Sequence, residues 1–319
     1  MKFFLLGFWG SNDGPSNVNR SLVQNSDECM EYLKWRKYGR IERWLKCIIC
    51  NPIVISAGIT KIELLLLKLF HKKTIYILHG YRKYKNEINN LRLNDTEIQL
   101  ESEALRYSDI ILPVSEKYSE WVKKMLPEYN NKIKYLNNGI TISRRLKKTK
   151  EKYSIAVTGG NRKIKNNALV CEAVSKLISD GYDCKVFVFG LLNDDNDDLT
   201  KYPFVTFMGQ MAKDEYYEAL DKISLLILNS KLEPFGLVVA DAINCNCSLL
   251  MSNNVGAASI MRTTDDDIIY DTNDINEIST KALNLLKYGN NDRLYNSIDV
   301  EDCSCKSAYI KLKQIVYEL

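Results

Sequence analysis

The sequence predicts an α/β protein made of two parallel β-sheets with crossover helices. Apolar runs of strand length alternate with longer helical patterns along all 319 residues. Polar, glycine-containing loops follow several of these runs, and the alternation starts afresh after a basic, loop-like segment at residues 144–150. A chain of this length has room for two domains of ordinary size. We therefore expect two doubly wound domains joined near residue 145.

The individual elements follow from the same alternation. A secretion signal is not expected at residues 1–10, because the apolar run is short and no small-residue cleavage site follows it. No run approaches the ~20 apolar residues of a membrane-spanning helix. Residues 302–319 carry apolar side chains at helical spacing and predict an amphipathic helix. The predicted strands are 2–7, 53–56, 74–79, 110–114 and 133–136, then 153–158, 185–190, 205–208, 225–229 and 248–252, with helices at 18–32, 61–70, 97–108 and 116–125.

The cysteines do not form a recognisable framework. Nine scattered cysteines, an odd number, argue against a set of disulfides and for a reducing compartment. Cys47 and Cys50 have the spacing of half a zinc site, but no pair elsewhere has the spacing of its partner. We expect cysteines that pack in the core or between helices, and no metal site.

The charge is divided unevenly along the chain. Residues 1–150 hold 27 Lys and Arg against 15 Asp and Glu, a net charge of +12, whereas residues 151–319 hold 17 against 25, a net charge of −8. A basic half suggests a polyanionic partner such as an anionic membrane surface or nucleic acid. Basic and aromatic residues are mixed at 34–38, 40, 43–46 and 82–85, which suits lipid headgroups, although solvated helix faces would explain any single cluster. No nucleic-acid-binding motif accompanies the charge, so we expect no nucleic acid partner.

Residues 225–242 carry the strongest functional signal. An apolar run is followed by a polar turn, then Glu233, Pro, Phe and Gly236, and then a helical pattern that contains Asp241. We expect Glu233 at the carboxyl end of a buried strand and Asp241 about two turns into the next helix, so that both carboxylates face one cleft. Gly236 would let the backbone N–H groups of the helix start approach an anion or sugar hydroxyls.

Two further loops have the composition of phosphate sites. The first follows the opening strand, contains Gly14 and precedes a helix, but it lacks the spacing of a dinucleotide or Walker loop. The second follows the strand 153–158 and contains a glycine pair, then Arg162 and Lys165. Fixed positive charge beside a flexible loop would stabilise a diphosphate leaving group as its charge grows. An ordinary loop with surface cations is the alternative.

A series of short motifs runs along the second half of the chain, in the order Gly159-Gly-Asn-Arg162, Lys165-Asn166, 186–190, 205–209, Asn229-Ser230, Glu233-Pro-Phe-Gly-Leu237 and 252–257. The first half carries Gly14-Pro-Ser-Asn-Val-Asn19, Leu78-His-Gly80, 108–115 and 137–140. Through these motifs, residues 153–262 resemble the donor-binding domain of the retaining glycosyltransferases of family 4, the glycosyl transferases group 1 of polysaccharide biosynthesis, which have the GT-B fold. The first half resembles the acceptor domain of that family more loosely.

The resemblance implies a division of the chain and a set of site residues. Residues 1–145 would bind the acceptor and 146–301 the nucleotide-sugar donor, facing each other across a central cleft, while 302–319 would form a helix that returns to the first domain. The implied catalytic residues are Glu233, His79, Arg162 and Lys165. The implied donor-binding residues are Gly14, Gly160, Arg162, Lys165, Glu233, Phe235, Gly236, Leu237 and Asp241.

Each implied role has its own chemistry. Arg162 and Lys165 would hold the diphosphate, and Glu233 would contact the hydroxyls of the transferred sugar. The backbone of residues 235–237 would line the sugar and phosphate. Asp241 would grip the ribose; the family usually has Glu at this place, and the shorter side chain leaves room for a bridging water. His79 would approach the donor sugar from the acceptor domain, with a purely structural histidine as the alternative.

The implied function is metal-independent, retaining transfer of a hexose from a UDP-sugar, with a GDP-sugar as the second option, and no cofactor. The acceptor would be a lipid-linked precursor of a surface polysaccharide such as capsule or O-antigen. Asp195 with Asp197, and Asp265 with Asp267, fit a metal-binding Asp-x-Asp pattern, but both lie between motifs of a metal-free fold. The expected location is the cytoplasm, with a peripheral position on the inner face of the cell membrane. A soluble or protein acceptor, a catalytically silent sugar-nucleotide or glycan-binding module and an epimerase of the same fold remain alternatives.

Overall fold

The computed structural model describes residues 2–7, 13–33, 39–56, 58–89, 95–193 and 197–319. The chain divides into two compact units. Unit 1 comprises residues 1–86, 91–141 and 300–319, and unit 2 comprises residues 87–90 and 142–299. Each unit has a parallel β-sheet of its own, so the predicted α/β class is confirmed.

Unit 1 is built on a parallel sheet whose described strands run in the order β2-β1-β3-β4-β5. Such an order, with crossover helices, is a doubly wound arrangement that collects loops at the carboxyl ends of the strands. All but the short β2 are buried along their whole length, as expected for a sheet covered on both faces. The strands are β1 (Phe3–Gly7), β2 (Met30–Glu31), β3 (Ile53–Ser56), β4 (Thr74–Leu78) and β5 (Ile110–Pro113).

Four helices of unit 1, α1, α3, α6 and α12, begin after a residue whose side chain accepts from one of their first N–H groups. Asp13 caps α1 by accepting from the Ser16 backbone, and Thr60 and Glu63 form a capping box at α3. Near the C-terminus, Tyr309 of α12 donates to Asp27 at 2.5 Å, which attaches this helix to unit 1. The helices are α1 (Gly14–Gln24), α2 (Gly39–Ile49), α3 (Lys61–Leu69), α4 (Arg82–Asn89, whose last three residues belong to unit 2), α5 (Asp95–Tyr107), α6 (Glu116–Met125) and α12 (Cys305–Tyr317).

Unit 2 has a larger parallel sheet, in the described order β11-β10-β9-β6-β7-β8. Its core is an apolar layer between the central strands and the helices α7 and α10. The strands are β6 (Glu151–Thr158), β7 (Lys185–Phe189), β8 (Val205–Gly209), β9 (Ile223–Leu228), β10 (Ser248–Ser252) and β11 (Ile268–Ile269). The helices are α7 (Asn167–Ser179), α8 (Lys213–Leu220), α9 (Val238–Asn244), α10 (Ile275–Tyr288) and α11 (Asn291–Ser297).

Two sequence predictions about elements are wrong. Residues 133–136 are not a strand: Ile133 makes an isolated parallel bridge with Ile111, and an extended segment continues beside β5 through alternate backbone hydrogen bonds. The first helix begins at Gly14 rather than residue 18, because Asp13 caps it, and it ends at Gln24.

The cysteines and the helix lengths bear on two other expectations. All nine cysteines are free, and six of them are buried. Across the residues that the structure describes, no helix combines the length and the apolar content needed to cross a bilayer.

Candidate functional site

The loop from β6 to α7 is shaped by two glycines. β6 ends at Thr158, and Gly159 and Gly160 follow with φ of +85° and +63°. L side chains rarely adopt such left-handed backbone, which glycine adopts without penalty. A Cβ on Gly160 would also collide with the carbonyl oxygen of Leu191. The glycine pair therefore lets the chain turn sharply at the carboxyl end of a central strand.

The side chains of Arg162 and Lys165 converge on Gly159. An ideal Cβ at Gly159 would lie 2.7 Å from Nη2 of Arg162 and 2.8 Å from Cε of Lys165. Arg162 donates from Nε to the Gly159 carbonyl at 3.0 Å and is otherwise exposed, whereas Lys165 is mostly buried. The structure thus places two of the predicted cations over the glycine loop of one strand.

Amide side chains hold this loop, and the sequence did not predict their role. Asn167 donates to the carbonyls of Thr158 and Gly160 at 3.2 and 2.6 Å. Asn166 and Asn229 both donate to the Thr272 carbonyl, at 2.7 and 2.9 Å. The two asparagines at the start of α7 were a usable signal, since Asn is favoured at helix starts and tolerates the left-handed φ of +57° that Asn166 adopts.

Glu233 is fixed by its backbone and paired through its side chain. It lies in the loop that follows β9, five residues beyond the strand end at Leu228. Its N–H donates to Asn254 at 3.0 Å, and its carbonyl accepts from Gly256 at 2.9 Å, in an isolated bridge. Its carboxylate forms a salt bridge with the ammonium of Lys165, and both side chains are largely buried. Two of the predicted catalytic residues are therefore in direct contact.

The segment after Glu233 turns tightly before the next helix begins. Gly236 has φ of +98°, and a Cβ there would lie 3.2 Å from Cγ of Glu233. Phe235 is buried and its carbonyl accepts from Ala257 at 2.7 Å, while Leu237 is the N-cap residue of α9. Because the turn delays the helix to Val238, Asp241 lies in its first turn, and the predicted position two turns into the helix is wrong.

Asp241 has a different partner from Glu233. Its carboxylate accepts from the Tyr217 hydroxyl at 2.7 Å. Burial raises the pKa of Asp241, and the Tyr217 hydrogen bond and the nearby Lys213 oppose that rise. Tyr217 was not predicted, since nothing in the sequence places α8 beside α9.

The two predicted site residues of unit 1 follow its strands. His79 comes directly after β4, and its Nε2 lies 2.8 Å from the Ser56 hydroxyl at the end of β3. Burial, together with Lys85, lowers the pKa of His79 to about 3, against the opposing effect of Asp13, so the imidazole is neutral at neutral pH. Gly14 is the exposed first residue of α1, and a Cβ there would meet nothing within 4 Å.

The aspartate pairs that fit a metal-binding pattern have other partners. Asp267 is fully buried, and both of its oxygens accept from Nη2 of Arg293, at 2.6 and 2.7 Å. Asp265 accepts from the Tyr270 hydroxyl at 2.8 Å. Asp195 lies outside the described residues. In the described ranges, no three or more His, Cys, Asp or Glu side chains are grouped so that they could hold a metal ion.

Residues 140–297 match the family model described as glycosyl transferases group 1. The chain carries a glycosyltransferase domain of this group. The matched range includes the β6–α7 loop, Glu233 and Asp241, and excludes only His79 and Gly14 among the predicted site residues. A search of curated protein sequences finds no match.

Several solved structures have the same fold as this chain. The complex of Anabaena Alr3699/HepE with UDP and glucose superposes with a TM-score of 0.69 at 12% identity, covering 100% of both chains. Sucrose-phosphate synthase from Thermosynechococcus elongatus gives 0.69 at 11% identity, covering 100% of this chain and 98% of its own. WaaG, a glycosyltransferase involved in lipopolysaccharide biosynthesis, gives 0.64 at 15%, covering 97% and 99%. The chain has the GT-B fold of these proteins.

Proposed function

We propose that the protein is a retaining hexosyltransferase that takes its sugar from a nucleotide sugar. The contact of Lys165 with Glu233 at the β6–α7 loop, inside the glycosyltransferase domain, carries this proposal. It joins a cation suited to a diphosphate with a carboxylate suited to sugar hydroxyls. Crystal structures of the similar HepE contain UDP with glucose, or UDP-glucose, which favours a UDP-sugar over a GDP-sugar.

The reaction would depend mainly on electrostatic stabilisation. Arg162 and Lys165 would hold the diphosphate as negative charge grows on it, so that Lys165 exchanges Glu233 for a phosphate oxygen. Glu233, released from Lys165, would accept hydrogen bonds from hydroxyls of the transferred sugar. The leaving diphosphate would take the proton of the acceptor hydroxyl on the same face of the sugar, so the anomeric configuration is retained.

The remaining donor contacts would come from the backbone and from Asp241. Backbone groups of Gly160 and of residues 235–237 would line the phosphate and the sugar, with the start of α1 near Gly14 contributing a further N–H. Asp241 would hold the ribose, directly or through a water, in competition with its hydrogen bond from Tyr217. We propose transfer without a metal ion, because the two cations supply the charge that a metal would supply, and Asp267 is already paired with Arg293.

The proposed acceptor is a lipid-linked precursor of a surface polysaccharide, such as capsule or O-antigen, reached from the cytoplasmic side of the membrane. Support comes from an exposed apolar surface of unit 1, which we name the α2–α3 apolar face. The helices α2 and α3 pack against each other, and seven large apolar side chains on or at the end of them are 43–72% exposed. A soluble monomer rarely exposes so many large apolar side chains together. The α2–α3 apolar face comprises Ile41, Leu45, Ile49, Ile62, Leu65, Leu69 and Phe70.

Cations border this face, but two of the three that the sequence singled out on α2 are paired elsewhere. Arg43 and Lys46 pair with Glu63 and Glu31 inside unit 1. Arg40 and Lys61 are exposed at the starts of α2 and α3. An apolar surface bordered by cations fits the headgroup layer of an anionic bilayer.

Acceptor-independent hydrolysis of UDP-glucose, with an Arg162→Ala variant, tests the proposed function. We expect slow hydrolysis by the parent and a loss of about 100-fold or more in kcat/KM in the variant, as for removal of one oxyanion donor. Lys163→Ala, in the same loop, is the control and should stay near the parent, as should the parent in excess chelator. Arg162 is exposed, so Arg162→Ala should have the same unfolding temperature as the parent.

Other outcomes would favour the alternatives. Arg162→Ala activity within a few-fold of the parent would contradict the diphosphate role. UDP binding without any hydrolysis would favour a silent binding module, and activity that chelator abolishes and manganese restores would contradict metal independence.

A further inference from the structure

We infer that Ser56 and Asn19 are positioning residues that hold His79 as the Nε2-protonated imidazole, so that its Nδ1 lone pair accepts a hydrogen bond from a substrate hydroxyl. The identity of that hydroxyl as part of a sugar rests on the proposed function. The tautomer itself rests on the geometry of unit 1 alone.

The three side chains form a hydrogen-bonded row across neighbouring elements. Ser56 ends β3, His79 follows the adjacent parallel strand β4, and Asn19 lies on α1. The Ser56 hydroxyl donates to Oδ1 of Asn19 at 2.6 Å and lies 2.8 Å from Nε2 of His79. Ser56 and Asn19 are fully buried, at 0% exposure, so water does not compete for these bonds.

The direction of the row fixes the tautomer. A serine hydroxyl has one hydrogen, and here it goes to Asn19, so the contact with His79 requires Nε2 to donate. A neutral imidazole carries one N–H, which leaves Nδ1 as an acceptor. No side chain or backbone group of the described residues hydrogen-bonds Nδ1 of His79. The imidazole therefore presents a lone pair and no proton at that atom.

Gly7 lets Asn19 reach Ser56. A Cβ at Gly7 would lie 2.8 Å from Nδ2 of Asn19 and 2.8 Å from the Ser56 carbonyl oxygen. The orientation of the Asn19 amide decides the direction of these bonds. If Nδ2 rather than Oδ1 faced Ser56, Asn19 would donate to the Ser56 hydroxyl, and the hydroxyl would donate to Nε2 of His79. His79 would then carry its proton on Nδ1. The two orientations predict opposite tautomers, and they can be told apart by experiment.

The charges around His79 favour its role as an acceptor. Lys85 of α4 and Asp13 at the start of α1 are the charged groups that act on it, and burial with Lys85 keeps the ring neutral. A ring that stays neutral cannot attract the diphosphate by charge. It can accept an O–H, which is the group that a sugar hydroxyl offers.

The tautomer can be measured directly, because the chain has only two histidines. In ¹⁵N-imidazole-labelled protein, His71 provides the second set of resonances, which His71→Gln identifies. We expect His79 to show a protonated Nε2 and an unprotonated Nδ1, unchanged between pH 5 and 8. A protonated Nδ1 in the parent protein would overturn the inference.

Ser56 variants test the positioning role. Ser56→Ala removes the acceptor for the Nε2 proton, so we expect a mixture of the two tautomers, with Ser56→Thr restoring the parent spectrum. The unfolding temperature of each variant shows whether it is folded. A folded Ser56→Ala variant with the parent spectrum would overturn the role of Ser56.

Donor kinetics then test the substrate side. Ser56→Ala should lower kcat/KM for UDP-glucose hydrolysis about tenfold, the worth of one hydrogen bond. The loss in kcat/KM caused by Ser56→Ala can then be compared across a set of monodeoxy UDP-glucose analogues. We expect no loss with the analogue that lacks the hydroxyl bonded to Nδ1 of His79. An equal loss with every analogue would overturn the substrate contact. The expected tautomer with no hydrolysis by the parent would support the positioning role and contradict the proposed function.

Discussion

Glu233 and Asp241 show how two carboxylates of one motif acquire different properties. Glu233 is paired with a cation, Lys165, which keeps a charged carboxylate in a largely buried place. Asp241 is bonded to a neutral hydroxyl, that of Tyr217, and burial raises its pKa. A carboxylate with an exchangeable cationic partner suits a site where charges are rearranged during each reaction. This contrast supports Glu233 as the sugar-binding acid of the proposed site.

Glu101 of α5 gives a pH-dependent prediction at the residue scale. Burial raises its pKa to about 7, although Arg82 and Lys85 oppose the rise. The folded state therefore binds this proton more tightly than the unfolded chain, so stability from this group is greatest below about pH 4.5 and is lost as the pH rises toward 7. The unfolding free energy of Glu101→Gln relative to that of the parent should therefore rise by about 2 kcal/mol from pH 5 to pH 8, measured by urea unfolding.

The control for Glu101 is its exposed neighbour Glu103. Glu103 pairs with Lys68 at the surface, so Glu103→Gln should show no comparable gain at pH 8. Comparing each variant with the parent at the same pH removes the effect of other titrating groups. A stability difference for Glu101→Gln that does not change with pH would contradict a buried, protonated carboxyl.

The sequence allowed the residues of the candidate site to be named more readily than their partners. Arg162, Lys165 and Glu233 lie in short motifs with a recognisable order, so their types and loops could be read directly. Ser56 beside His79, and Tyr217 beside Asp241, are separated along the chain by 23 and 24 residues. Such partners depend on how strands and helices pack, and a single sequence does not specify that packing.

At the scale of elements, the loops before and after α7 offer a matched pair of glycines, Gly159 in the β6–α7 loop and Gly181 after the helix. Gly159 and Gly181 have similar left-handed φ, +85° and +93°, but only a Cβ at Gly159 would displace Arg162 and Lys165. Both Gly→Ala variants should lose about 1–2 kcal/mol of stability from backbone strain. Only Gly159→Ala should weaken UDP binding, by tenfold or more in calorimetric titration, because it moves both cations. UDP binding that the two variants retain equally would show that the loop is not the diphosphate site.

Local signals determined how well each element was predicted. The strands 53–56 and 248–252 and the helix 116–125 were predicted to the residue, because a continuous apolar run or a Ser N-cap marks their ends. The helix α2 was missed: among its residues only Cys47 is buried, so its apolar positions do not mark a core-facing side. Patterns predict elements when burial and hydrophobicity coincide, and they fail where apolar side chains face outward.

For the whole molecule, the uneven charge and the α2–α3 apolar face point to the same partner. Residues 1–150 carry a net charge of +12, and seven of the exposed large apolar side chains in the described part of the chain lie on or at the end of two helices of that half. The exposed positions of the neighbouring α5 are polar or charged instead, for example Glu97 and Glu103. The contrast between adjacent helices argues that apolar exposure on α2 and α3 is specific to a partner surface.

Vesicle binding gives the last prediction. The protein should sediment with vesicles that contain anionic lipid, less with neutral vesicles, and less again at high salt, because screening weakens the attraction. Replacing Leu45, Ile49, Leu65 and Leu69 by Ser should weaken binding tenfold or more, since each lost side chain removes apolar area from the bilayer interface. Leu146→Ser with Leu191→Ser is the control, because both residues are exposed in unit 2, and it should bind as the parent does.

The same variants distinguish binding of a membrane to the α2–α3 apolar face from binding of a second copy of the chain. If the face instead joins two copies of the chain, the parent should be a dimer in sedimentation velocity and the four-residue variant a monomer, with no vesicle binding by either. Binding that persists in the variant would show that lysine and arginine side chains alone hold the protein to lipid. Absence of binding by the parent at low salt would favour a soluble or protein acceptor. In that case, transfer from UDP-glucose would proceed equally well with and without vesicles. A transferase that acts at a lipid surface would instead be slower without them.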